Sequence, residues 1–427
     1  MAVKRLLCST ALLLAAHTAQ ARVIDASTFP GQIGDQITAC IAALPVQGGV
    51  CDARNLPATG SIAPMTITRS GVTILGPCGQ YTVSGTILLN AVRALRWVGC
   101  GEDFSTTGTR FMWAGGGGAA MFQLTASRGN LFEHFSIWAD IPAPLAIGIG
   151  QSPGAGGVTT DNAFRDLIIE ANRDGGIDIG MRWYGAGGNN DASLIERVSV
   201  NNYGTAAYSI ENSQSKAHLF LHSQCNGSTS SKYCVTTGLG ARAGSFMAVN
   251  MLGDNNSVAD FFLGSPDDTI NIVGGNFENS ARFLMTTAAT GTGWPVLVQG
   301  VRIAANNLAP DNRLVVYQMR GGFTFSNNII DGASAGKTPL ISFEPSSLAS
   351  TAKADGNVIR WATGTVGPAS QPFVGANGAG ALWRLIGNTI TDGSGVTFPI
   401  PDSLGGVSCA GPLGASAVVV NGIVRQC

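Results

Sequence analysis

The sequence predicts an all-β chain wound as a right-handed parallel β-helix of about ten coils, a solenoid closed at its start by a capping helix. Three observations carry this. The first is a recurring apolar pattern, with copies at Phe132-Glu133-His134-Phe135-Ser136-Ile137, Phe164-Arg165-Asp166-Leu167-Ile168-Ile169 and Ile195-Glu196-Arg197-Val198-Ser199-Val200. Later copies centre on Ile329, Val358 and Thr389. Phe135, Leu167 and Val198 lie 32 and 31 residues apart, and Asn328, Asn357 and Asn388 lie 29 and 31 apart; such a fixed period marks a stacked repeat. The second is the form of each copy. Apolar, two polar, apolar, polar, apolar is a strand with one buried face, preceded by a corner. The third is composition: 58 glycines, 12% charged residues and 7% aromatics suit tight corners and a slim core.

A single coil cannot bury its inner face, but a stack of coils can, each strand pairing in parallel with the next. Helical periodicity is absent from the repeats. Gly and Asn recur at the bends, where φ > 0 is needed. A second short strand, Gly176-Ile177-Asp178-Ile179-Gly180, follows the Phe164 copy after a Gly-rich turn. Asn328, Asn357 and Asn388 fall at equivalent corners, preceded by Asn327, Gly356 and Gly387, and Gly275-Asn276 offers a further match. Stacked Asn amides bond along the axis, so these are read as structural and not as a ligand groove.

The chain opens with Lys4-Arg5, an apolar run from Leu6 to Ala16 and Ala19-Gln20-Ala21, the form of a secretory signal peptide cut before Arg22. Residues 1–21 are therefore expected to be removed, and export to the periplasm or beyond is expected. The run is too short for a membrane span, and no later stretch qualifies. Residues 22–393 form one β-helix domain and 394–427 a C-terminal cap or tail. Apart from Cys8 there are eight cysteines, as near neighbours: Cys40 with Cys51, Cys78 with Cys100, Cys225 with Cys234, and Cys409 with Cys427. Sequential disulfides are expected in an oxidising setting. Ile33, Ile37, Ile41 and Leu44 mark an amphipathic helix stopped by Pro45; it covers the open end of the solenoid. Lys and Arg (25) balance Asp and Glu (26) without a basic cluster, which excludes a nucleic-acid binder.

The Val23-Ile24-Asp25-Ala26 segment, a helix running through Gly34-Asp35-Gln36-Ile37, then Gly48-Gly49-Val50 and the Asn-rich coils resemble the pectin-lyase-like β-helix superfamily. That superfamily holds pectate lyases, polygalacturonase-type hydrolases, alginate-acting enzymes and phage tailspikes. The resemblance covers most of the mature chain as pattern, and its one semi-specific motif belongs to the cap. It implies a polysaccharide partner. The Trp-x-Asp-His and Arg-x-Pro-x-x-Arg segments of pectate lyases are absent, as is the Gly-His-Gly element of the hydrolases; an adjacent acid pair, Asp267-Asp268, echoes the hydrolases, and Val301-Arg302-Ile303 is a faint echo of their Arg-Ile-Lys.

The chemistry-bearing residues fall in three groups. Aligning Phe135, Leu167 and Val198 puts Glu133, Arg165 and Glu196 in one column and His134, Asp166 and Arg197 in the next, with His218 extending the second. These alternating charges form either a salt-bridge ladder or an active face, where Lys216, His218, His222 and Arg197 supply base and cation, Asp166 orients a partner and Glu196 contacts substrate. The second group is carboxylate: Asp267, Asp268 and the nearby Glu278 suit inverting hydrolysis, or, for the Asp pair after Pro266, a turn. The third is aromatic. Of Trp113, Trp138, Trp183, Trp294, Trp361 and Trp383, Trp183 beside Tyr184 ahead of a Gly-rich loop is the best sugar platform. No motif requires a cofactor; Asp254, Asp260, Asp267 and Asp268 leave calcium open, without a legible ligand loop. The expectation is an exported β-helix protein that cleaves a polysaccharide, uronic acids included, by β-elimination or hydrolysis. The alternative is a non-catalytic binding or adhesion protein on the same scaffold.

Overall fold

A computed structural model of the protein describes residues 22–426 other than 103–106, 116–119, 151–156, 186–187, 213, 240–243, 265–268, 288–294, 320, 334–339, 345–350, 363–373, 377–381, 400–402, 406–417 and 421–422. The coils stack as a parallel β-helix whose strands line three sides, called here the first, second and third sheets in chain order within a coil. The third sheet has 12 strands in unbroken parallel succession, from Met65–Ile67 to Val374–Ala376. The first and second meet so closely at one corner that Leu131–Ala139, Ala163–Ala171 and Leu194–Asn201 run through it as continuous strands.

That corner is turned by one residue per coil in the left-handed conformation. His134, Asp166, Arg197, His222, Asn250, Gly274, Gly300, Asn327, Gly356 and Gly387 all have φ between 49° and 67°. Gly and Asn take this conformation readily, whereas an ordinary L residue loses roughly 1–2 kcal/mol in it. The residue after the turn lies on the inner side, and two packing solutions occupy different stretches of the axis. Phe135, Leu167 and Val198 fill it with apolar volume. Lower down, Asn328, Asn357 and Asn388 fill it with amides: Asn328 Nδ2 donates to Asn357 Oδ1 at 3.0 Å and Asn357 Nδ2 to Asn388 Oδ1 at 2.9 Å. Gly275 shares this column. Asn276 does not: it lies one residue on, in the strand Asn276–Glu278 that pairs with Leu252–Asp254, because the turn there is Gly274 followed by a glycine.

A second interior ladder runs at the corner where the third sheet hands over to the first. Asn130 Nδ2 donates to Asn162 Oδ1 at 2.9 Å. Ser193 and His218 continue its line, as the bonds Leu194 N to Asn162 O and Leu219 N to Ser193 O show.

The cap helix, α1 (Ile33–Ala43), buries Ile33, Ile37 and Ile41 on the first coils. Its start is fixed by Asp35 Oδ2 accepting from Gln32 N at 3.2 Å, and the strand Val23–Asp25 beside it pairs with Gly49–Asp52. At the far end, 397–399 and 403–405 fold back antiparallel on the last strands. The disulfides Cys40–Cys51, Cys78–Cys100 and Cys225–Cys234 are formed; Cys409 and Cys427 lie outside the described residues. No described helix is long and apolar enough to cross a membrane.

Candidate functional site

The charged columns align as their spacing implies. Glu133, Arg165 and Glu196 are register partners on successive coils. Arg165 Nε meets Glu196 Oε2 at 2.9 Å, Arg197 Nε meets Asp166 Oδ1 at 2.6 Å, and Arg197 also holds Glu196. His134 lies 3.8 Å from Glu102 and 3.9 Å from Asp166. The hydrogen bonds that Arg197 donates hold the Asp166 carboxyl below the usual carboxylate range, and its bonds to Asp166 and Glu196 raise the Arg197 guanidinium above its own. Each cation here already faces an anion, so the network is a charge-neutralising ladder on a stacked surface and leaves no poised base.

The remaining members of that group do not converge. The register Ile195 to Phe220 and Glu196 to Leu221 puts His222, and not His218, at the turn position of this column. His218 lies four residues earlier, on the interior ladder and fully buried. Its Nδ1 accepts from Ser193 N at 3.3 Å, its Nε2 shares a 2.8 Å bond with Ser215 Oγ, and its ring lies 5.0 Å from that of Trp183. Burial pushes the imidazole down to about 3. It is neutral and closed to solvent, which removes it as a base. Lys216 and His222 sit at opposite ends of the strand His218–Leu221, a separation of about 3.3 Å per residue that keeps them from acting on one atom. Asp267, Asp268 and Trp294 lie outside the described residues, as does the side chain of Trp383.

Trp183 is likewise interior, with no exposed area, and its Nε1 donates to Ser193 Oγ at 3.0 Å. It cannot serve as a sugar platform. Trp97, Trp113 and Trp361 are also buried. Tyr184, its neighbour, points the other way, and it leads to a cluster that the sequence did not reveal. On the third sheet Phe122, Ile147, Met181, Tyr208, Val235 and Phe261 face the core. The residues that follow each of them therefore point away from the core: Gln123, Gly148, Arg182, Ser209, Thr236 and Phe262, in register coil after coil, with Ser209 and Thr236 themselves covered and Gln123, Arg182 and Phe262 half-buried. Beside this row Ala120, Leu145 and Ile179 form a small apolar cluster separate from the core, against which Tyr184 packs.

These side chains are bonded into one chain of groups. The Tyr184 hydroxyl donates to Gln123 Oε1, across the notch left by Gly148, where a Cβ would lie 2.3 Å from that oxygen. The Arg182 guanidinium sits 5.0 Å over the Tyr184 ring and donates to Glu211 Oε2 at 2.6 Å, while Ser209 Oγ donates to Glu211 Oε1 at 2.7 Å. Burial raises the Tyr184 phenol above its ordinary value, so it stays a neutral donor. Further along, the half-buried rings of Tyr233 and Phe262 stack at 4.7 Å and 17°. A half-buried aromatic pair and a fixed set of amide, guanidinium, carboxylate and phenol groups share one face, above the small buried cluster of Ala120, Leu145 and Ile179. That composition matches a sugar's apolar ring face and hydroxyl rim.

A carboxylate pair occurs elsewhere. Asp254 and Glu278 are register partners at the end of the second sheet. Asp254 accepts from Asn255 Nδ2 at 2.8 Å and from Asn279 Nδ2 at 3.1 Å. Asp260 does not join them at the surface, being 1% exposed. Among the described residues no group of three or more His, Cys, Asp or Glu is arranged to hold a metal ion.

Fold and capping helix together make this chain a parallel β-helix capped by a helix at its start. No family model matches it, and no curated protein does. Among solved structures it is similar to an exopolygalacturonase from Thermotoga maritima, at 11% identity over 93% of this chain and 99% of that one, with a TM-score of 0.36. It is also similar to a surface adhesin of Streptococcus pneumoniae (9% identity, 95% and 99% covered, TM-score 0.43) and to the catalytic unit of an α-1,3-glucanase from Streptomyces thermodiastaticus (13%, 90% and 73%, TM-score 0.42). Likeness at this level carries nothing on activity.

Proposed function

We propose that this is an exported polysaccharide-binding β-helix protein that lays an extended glycan across the outer face of the third sheet. The carrying observation is the bonded run Gln123–Tyr184–Arg182–Glu211–Ser209 beside the stacked Tyr233–Phe262 pair. Coils repeat at about 4.8 Å, close to the length of one sugar in an extended chain, so successive coils address successive sugars. The formed disulfides favour an oxidising compartment, in keeping with the expected leader at 1–21. Arg182→Met and Phe262→Ala, made singly, are each expected to weaken retention in polysaccharide-containing native gels by about tenfold, the loss of one charge-assisted bond or one stacking contact. Unchanged mobility of both variants would sink the reading.

Cleavage is the second reading, and the Asp254–Glu278 pair favours it. Their backbones are neighbours on adjacent coils, about 4.8 Å apart, a spacing compatible with the carboxyl separation of about 5–5.5 Å used by retaining glycosidases, in which one acid protonates the leaving oxygen and the other attacks the anomeric carbon. If the protein hydrolyses its glycan, Glu278→Gln is expected to abolish the release of reducing ends while leaving gel retention intact. A polymer cleaved with the appearance of unsaturated uronate absorbance, unaffected by Glu278→Gln, would instead establish β-elimination at another place.

A further inference from the structure

Away from the third-sheet face, the corner joining the second sheet to the third carries a groove of about 760 Å³ whose walls include Asp174, Thr229, Asn255, Asn279, Asn307 and Leu308. Its chemistry is one-sided. Among the described residues the lining is amide, hydroxyl and small apolar, with a single carboxylate and no Lys, Arg or His. The carboxylate, Asp174, is already occupied: it accepts from Thr229 Oγ1 at 2.6 Å, from Ser230 N at 3.1 Å and from Ser228 Oγ. It clamps two loops together and sets a negative local potential, to which Asp254 behind the lining adds.

The amides are held in a common pose. Asn255 and Asn279 turn the corner at φ 56° and 55° on adjacent coils. Each donates one amide hydrogen to Asp254, at 2.8 and 3.1 Å, and Asn307 Nδ2 donates to Asn279 O at 3.0 Å on the coil above. With the nitrogens tethered, the Oδ1 atoms of all three are oriented, and no described residue donates to any of them. Three acceptors at successive coils, with Leu308 and Pro310 as an apolar wall, call for a ligand that presents hydroxyl donors and an apolar face.

We infer that this groove is a second saccharide site, selective for a neutral glycan running along the helix axis, and distinct from the third-sheet face. Uronate chains are excluded from it, since their carboxylates would meet Asp174 and Asp254 with no compensating cation. This goes beyond the proposed function and does not require the third-sheet face to bind.

The test is calorimetric titration of the full protein with oligosaccharides of a neutral β-glucan, a neutral α-glucan and polygalacturonate. Asn255→Gly/Asn279→Gly removes two acceptors at positions where glycine is at ease, so the fold is retained, which a thermal midpoint checks. The expected result is a loss of about tenfold or more in affinity for a neutral oligosaccharide, two hydrogen bonds' worth, and an unchanged response to polygalacturonate. The companion variant Arg182→Met/Phe262→Ala should leave that neutral-glycan site in place. If the glycine pair titrates like the parent, or if no neutral oligosaccharide binds the parent, the groove is not a saccharide site. A glycine pair that loses the neutral oligosaccharide, beside an Arg182 and Phe262 variant that binds every glycan as the parent does, would keep the groove and overturn the third-sheet reading; loss of glycan binding in the Arg182 and Phe262 variant alone would do the reverse.

Discussion

Replacing Asn357 by leucine is expected to lower the free energy of unfolding by about 3–5 kcal/mol, as for removal of a buried hydrogen-bonded network. Leucine keeps the branching at Cγ but is larger than asparagine, so the effect combines the lost amide bonds with overpacking of the corner. Asn357 Oδ1 accepts from Asn328 N and Asn328 Nδ2, both at 3.0 Å, and its Nδ2 donates to Asn388 Oδ1 and Phe325 O, both at 2.9 Å. All these partners lie inside the corner. Asn357 has no exposed area and Asn328 none, so water cannot take over the bonds. Asn276→Leu is the matched control, because Asn276 is half-buried and bonds Glu278 outside the ladder; its expected effect is about 1 kcal/mol. Urea denaturation of the two variants decides. Equal shifts in midpoint would mean that the ladder adds nothing beyond an ordinary surface amide.

That Asn column is legible in the sequence, and the reason is physical. A stacked amide has to recur at the coil period and has to follow a left-handed turn, so Asn327-Asn328, Gly356-Asn357 and Gly387-Asn388 announce themselves twice. The salt ladder was legible for the same reason, since Phe135, Leu167 and Val198 fix the register of the charges beside them. What failed was alignment past Val200. The next strand, His218–Leu221, is short, and its turn residue is His222. A pattern that counts apolar positions slides His218 into the charged column by four residues. Of the third-sheet face only Tyr184 is singled out by the sequence. Its row is assembled from strands separated by unequal loops, and a register irregularity between Ile177 and Ile179 shifts which residues face out. Gln123, Arg182 and Glu211 share no spacing that a repeat could expose. Trp183 and Tyr184 looked alike in sequence, and only the alternation of the strand separates the core residue from the surface one.

Stability is expected to fall by about 2 kcal/mol between pH 6.5 and 8, and Asp260→Asn is expected to abolish that fall. Asp260 accepts from Ser280 Oγ at 2.7 Å and from Asn256 Nδ2 at 2.9 Å, and burial raises its carboxyl from 3.8 to about 8, with the nearby Asp254 pushing the same way. The folded state therefore holds this proton more tightly than the unfolded chain. Its contribution is complete below pH 3.8 and is lost as pH climbs through 8. His218 works in the opposite sense. Burial lowers it from 6.5 to about 3, so its contribution is complete above pH 6.5 and is lost as pH falls through 3. Between pH 3.8 and 6.5 the two slopes oppose one another and nearly cancel. Above 6.5 only Asp260 still titrates, and it leaves the folded state one proton richer than the unfolded. Asparagine keeps an acceptor for Ser280 and Asn256 and carries no charge, so the variant should be level across this window and more stable than the parent at pH 8. Chemical denaturation at pH 6.5 and 8 measures both slopes. A variant that loses stability as steeply as the parent would show that Asp260 is ionised in the fold, its burial offset by bonds that favour the carboxylate.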